Sequence, residues 1–145
     1  MSTPIHSRAH YDRQLQTLRE DLLLLGSMAE KAVERSVEAM RNRDDQLAKG
    51  VIISDREIDN LTFELEERAL LLIATQQPMA VDLRAIAGAL FIITELERIG
   101  DYAEGIAKIA LEISKEPPLK PLIDIPRMAY IAIAMLHQAL GAFID

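Results

Sequence analysis

The 145-residue chain contains no cysteine and no tryptophan. Without cysteine there is no disulfide framework, no thiolate nucleophile and no thiolate zinc site, so any metal must be held by oxygen and perhaps histidine ligands. A positive charge balance is also missing. The net charge is −7, which makes phosphate-backbone binding a poor fit and cation binding a fair one, so nucleic acid is not expected as a partner. Aromatic residues make up only 4%, and glycine and proline number six each, so strand formers and chain breakers are scarce. Half of the residues are hydrophobic, with Ala, Leu, Ile, Glu and Arg prominent. That favours helix and is enough for one domain with a real core.

Ser2 to Arg13 is polar and charged and does not read as a secretory leader. The expectation is a cytoplasmic protein, peripheral to a membrane at most. Met128 to Ile144 is nearly all apolar except for His137 and Gln138. A helix buried on several sides accounts for it better than a bilayer span.

The apolar spacing is helical throughout. Tyr11, Leu15, Leu18, Leu22, Leu25, Ala29, Ala32, Ser36 and Ala39 alternate steps of four and three, the seam of a helix running from about 7 to 43. His6 and His10 lie four apart, as metal ligands on a helix can, but a frayed terminus is the preferred reading. Asp44 suits an N-cap. A second helix follows, with Leu47, Val51, Ile58, Leu61, Leu65 and Leu72 in heptad spacing, ending near Thr75. Gln76-Gln77-Pro78-Met79 forms the turn, and Pro78 suits the first position of the third helix. That helix ends by Lys115. Within it Gly100 and Gly105 permit close approach of a ligand or, equally, tight helix packing.

On the third helix Leu83, Ile86, Leu90 and Ile93 share a face, and the same line continues to Glu97 and Asp101. Carboxylates on a core-facing line need a cation, a proton or strong donors. The short turn makes the second and third helices antiparallel neighbours. Asp59 and Glu97 are equally far from Pro78, as are Asp55 and Asp101, so each pair should sit level, about 28 Å or more from the turn. Two acidic pairs, Asp55/Asp59 and Glu97/Asp101, are thus expected to face each other and to hold something positive between them. Glu66 lies further down the same flank as Asp55 and Asp59. The alternative is a solvated acidic flank, with Arg56 and Arg68 neutralising it.

Pro117, Pro118 and Pro121 make a stiff connector over 117–124. Beyond it the sequence repeats with a shift of one hundred: Met28-Ala29 matches Met128-Ala129, Ala32-Val33 matches Ala132-Ile133, and Ala39-Met40 matches Ala139-Leu140. The fold class expected is therefore all-α, an antiparallel three-helix bundle over 1–116 plus the first helix of a second repeat over 125–145. A chain cut short of a two-repeat protein would leave this last helix to pack on its own bundle or to be exchanged with another chain.

The run Ala69 to Arg84, with Gln77-Pro78 and Asp82-Leu83-Arg84, resembles the PhoU family of phosphate transport accessory proteins. So does Leu96-Glu97-Arg98-Ile99-Gly100-Asp101, followed by Ile106-Ala107, and the opening His10-Tyr11-Asp12 fits as well. The resemblance covers essentially the whole chain. It implies two repeated three-helix bundles, of which the second acidic hairpin is absent here. It also implies metal binding through an acidic-x-x-x-Asp motif that maps onto Glu97 and Asp101, with Asp55 and Asp59 as second choice. The metal would be iron, zinc, magnesium or manganese. The function implied is negative regulation of the phosphate-starvation response, linking the ATPase of a phosphate ABC transporter to a sensor histidine kinase. A homodimer or exchanged-helix oligomer is expected.

Two other classes compete with that reading. A plain helical adaptor would need no metal. A carboxylate-bridged metal-dependent hydrolase is less favoured: none of the three histidines follows a glutamate by three residues, and none falls between His10 and His137. Arg84 and Arg98 flank the acidic face, either to pair with an acidic partner and orient the carboxylates or as snorkelling surface groups. No phosphate-binding glycine loop is present, so direct phosphate sensing is not supported.

Overall fold

A computed structural model describes residues 4–144, with side chains from 8 to 144. Four helices follow one another: α1 Pro4–Asn42, α2 Asp45–Gln76, α3 Val81–Ile113 and α4 Asp124–Ile144, with no strand among the described residues. The first three pack pairwise into an antiparallel bundle, and α4 lies along α1.

The bundle follows from heptad seams. On α1 Tyr11, Leu15, Leu18, Leu22, Leu25, Ala29, Ser36 and Ala39 are buried as the four-three alternation requires. They meet Ile58, Leu65, Ala69 and Leu72 of α2 and Ile86, Ala89, Ile93 and Leu96 of α3 in one core. A smaller cluster at the far end joins Ala39, Met40, Ala48, Val51, Ala107 and Ala110. His6 lies outside the described side chains, and His10 is exposed.

The turn from α1 to α2 is as short as the chain allows. Arg43 takes a left-handed conformation (φ 54°) where glycine is usual, and the Asp44 N–H donates to the Ala39 carbonyl at 2.9 Å, closing a Schellman motif. Asp44 then caps α2, its carboxylate accepting from the Leu47 N–H at 3.0 Å. The Arg43 guanidinium reaches across the bundle to the end of α3. It donates to the carbonyls of Ile113 (3.0 Å), Ser114 (2.9 Å) and Glu116. A cation there meets the orphan carbonyls of a helix C-terminus, which is electrostatically favourable.

Two details differ from the sequence reading. Pro78 does not open α3. Gln77 (φ 44°) ends α2 with its N–H donating to the Ile73 carbonyl, and Ala80 (φ 48°) is also left-handed, so the helix begins only at Val81. The last helix is not buried on several sides either. Only Leu140 is buried on α4, because the helix packs mainly on α1 and meets α3 only at its edge.

Candidate metal centre

The site lies between α2 and α3 at the level of Gly100. The buried line of α2 is Val51, Asp55, Ile58, Thr62, Leu65, Ala69 and Leu72, an unbroken four-three heptad seam with an aspartate inside it. On α3 the buried line is Ile86, Ala89, Ile93, Leu96, Gly100, Ala103, Ala107 and Ala110. The carboxylate on the core line is therefore Asp55. Glu97 and Asp101 stand one position round from the α3 seam: Glu97 is half-buried and Asp101 exposed. The stripe read from Leu83 through Leu90 was displaced because Leu83 is 40% exposed and Leu90 only half-buried.

Gly100 makes room for Asp55. A Cβ at Gly100 would meet Ile58 Cγ2 at 3.1 Å and Asp55 Oδ1 at 3.3 Å. Here the glycine serves a close helix approach at the acidic level. Gly105, by contrast, has nothing within 4 Å of such a carbon.

Asp55, Asp59 and Asp101 each place a carboxylate oxygen so that the three lie within 4.8 Å of one another. Three of the four residues singled out in the sequence are thus brought together across the two helices. Glu97 is not in that set, although it feels it: burial raises its pKa first, then the charges of Asp101, Asp59 and Glu66. Asp101 faces both Asp55 and Asp59 rather than standing level with Asp55 alone. The sequence reading missed Glu104, one turn beyond Asp101. Its carboxylate meets Asp55 and pairs with Lys108 at 2.9 Å. The Glu-x-x-x-Lys spacing was the available signal.

The electrostatics are those of crowded acids. Asp55 is pushed up to about 7, first by burial, then by its hydrogen bond with Glu104 and the charges of Asp59, Glu104 and Asp101. Burial and the same neighbours raise Asp59. Glu104 is lowered, by Lys108 first and then by Asp55, so the proton shared in that pair sits on Asp55. Asp55 Oδ1 has no hydrogen-bond partner although it is buried. A buried oxygen without a partner, with two further carboxylates beside it, fits a cation, which would stand where the proton does in the metal-free chain.

The arginines do not supply that charge. Arg98 is bound to Glu95 at 3.2 Å on the solvent side. Arg84 is exposed, about 20 Å from Glu97 along the helix by its rise per residue. Arg68 turns to Asp21 of α1 at 2.6 Å, and Arg56 is exposed. The oxygen-only donor set suits hard cations, magnesium or manganese before copper.

Comparison with known proteins agrees with this architecture. The family model described as PhoU domain matches residues 22–110. The chain is 36% identical over 133 residues to a phosphate-specific transport system accessory protein PhoU homolog of Aquifex aeolicus, covering 92% of this chain and 60% of that protein. It is 33% identical over 138 residues to the phosphate-specific transport system accessory protein PhoU of Escherichia coli, covering 95% and 57%. The crystal structure of PhoU from Pseudomonas aeruginosa superposes with a TM-score of 0.88 at 30% identity, covering 92% of this chain and 65% of that one. The chain thus spans about three fifths of the length of these curated relatives. Its seams, its acidic hairpin and these matches together place it in the PhoU domain family.

Proposed function

We propose that this chain is a metal-binding accessory protein of phosphate transport that works by docking, not by catalysis. The observation that carries the metal reading is the buried, unpartnered oxygen of Asp55 beside Asp59 and Asp101. Asp55, Asp59 and Asp101 would hold the ion, with Glu97 at its margin, and the ion would supply fixed positive charge that ties α2 to α3. Magnesium, manganese, iron and zinc are the candidate metals, the first two favoured by the all-oxygen donors. The relatives named above are accessory proteins of the phosphate-specific transport system. That supports a partner in the phosphate transporter, its ABC ATPase in this reading; a sensor histidine kinase as the second partner and negative regulation of the phosphate-starvation response as the outcome complete the proposal. Arg84 and Arg98, exposed on α3, are suited to acidic partner surfaces. A second copy of the chain completes the proposed partner set, the two-repeat domain plan belongs to the same reading, and the place of action is the cytoplasm.

A thermal-shift titration with manganese tests the metal reading. The wild-type chain should gain stability with ion concentration, by about 2.7 kcal/mol at one hundred times the dissociation constant. A chain carrying Glu97→Gln and Asp101→Asn should stay folded and lose most of that gain. No gain in the wild type would leave the plain adaptor reading in its place, equal gains in both would put the ion elsewhere than at Asp101, and phosphoester turnover in the metal-loaded chain would favour the hydrolase.

A further inference from the structure

The charged face of α3 does not end at Asp101. Glu97, Asp101, Glu104 and Lys108 follow one another at steps of four, three and four, so three acids on one face are closed by a cation. Glu104 is hydrogen-bonded to Asp55 and accepts from the Lys108 ammonium at 2.9 Å. A Glu–Lys pair four residues apart is common on helix surfaces and contributes little. This one differs in what it is attached to. The Glu104 side chain is only 24% exposed, and its other contact, Asp55, belongs to the buried seam of α2. The charge of Lys108 reaches Asp55 as well.

Two consequences follow for the converging carboxylates. Glu104 holds the Asp55 carboxyl from the side, while its own oxygens are not among the three that converge. Glu104 also brings a further negative charge to the cluster, and Lys108 cancels it. Among the described residues of α2 and α3 no arginine is bonded into the cluster: Arg68 turns to Asp21 and Glu64, and Arg98 to Glu95. A fixed positive charge beside a cation site opposes every cation in proportion to that cation's own charge. On the logarithm of affinity it therefore opposes a trivalent ion about one and a half times as strongly as a divalent one.

We propose that Lys108, tied in through Glu104, sets which cations the site between α2 and α3 accepts, holding back trivalent ions relative to divalent ones. Glu104 is the positioning residue and Lys108 the specificity-determining one, and neither is a ligand. The inference rests on the metal reading proposed above and concerns the selectivity of that same site.

Isothermal titration calorimetry of the full chain with manganese(II) and, separately, terbium(III) tests it. Lys108→Gln should bind manganese about fivefold tighter and terbium about tenfold tighter, because the logarithms of the two gains stand near two to three. Glu104→Gln should weaken both ions. The double variant should return to within about threefold of the wild type, since it removes one charge of each sign. Helix content by circular dichroism should not change, as the Lys108 side chain is 60% exposed. A pair that only staples its helix would leave both affinities unchanged in Lys108→Gln, which overturns the proposal, as do equal gains for the two ions. Asp55→Asn keeps the two readings apart. Wild-type binding that Asp55→Asn abolishes, with no response in Lys108→Gln, overturns the selectivity inference alone. No binding by the wild type, or binding that survives Asp55→Asn, overturns the metal reading and this inference with it.

Discussion

Asp55 occupies a position where every neighbour along its seam except Thr62 is apolar. Its raised pKa has a definite consequence for stability. The folded chain holds a proton on Asp55 up to about pH 7, whereas the unfolded chain releases it near the ordinary value of 3.8. The folded state therefore binds more protons across that window, and the metal-free protein loses stability as pH rises from about 4 through about 7. A hard cation bound there would reverse the trend, because it would compete with that proton for the carboxylate. Asp55→Asn should raise the metal-free melting temperature at pH 8 by several degrees, flatten the pH profile between those limits and abolish stabilisation by manganese. Scanning calorimetry across pH, with and without the ion, measures all three. Gly100→Ala probes the same site from its other wall. The methyl gains helix propensity worth about 1 kcal/mol but presses on Ile58 and Asp55, both buried. Its melting temperature should move little, while manganese affinity falls at least about tenfold because the acids are held apart.

At the scale of helices, much of the fold was legible before any coordinates. The α1 seam, the Asp44 cap and the acidic hairpin all follow from residue spacing, since a heptad repeat leaves little freedom about which face is buried. What spacing could not fix was rotation by one residue. Leu83 and Leu90 looked like core positions, yet Ile86, Ala89, Ile93, Leu96 and Gly100 form the buried line of α3, with alanine and glycine where a large apolar residue was sought. Small residues carry little hydropathy signal but permit the close approach that buries Asp55. The two left-handed residues around Pro78 were also silent in sequence, because glutamine and alanine do not advertise that conformation. Arg43 is a third such residue, and its side chain explains its presence: it ties the α1–α2 turn to the end of α3. Arg43→Ala should cost about 2 kcal/mol, and Arg43→Gly about 1 kcal/mol less, because glycine relieves the backbone while both lose the clamp. Urea denaturation of the three chains checks the order.

For the whole molecule, a tightly packed bundle of α1–α3 carries an acidic cluster between α2 and α3, while α4 rides on α1 with an apolar side exposed. The two features face different chemistry. In the reading proposed above the carboxylates would hold a cation that stiffens the hairpin, whereas the outer side of α4 is apolar and uncharged. The metal is the stronger commitment, because it gives a reason for an aspartate in a hydrophobic seam. Anomalous diffraction from crystals soaked in manganese tests it most directly. The account predicts a single strong peak between the carboxylates of Asp55, Asp59 and Asp101, absent in Asp55→Asn. A map with no peak there at saturating manganese, with the three side chains still converging, would contradict it.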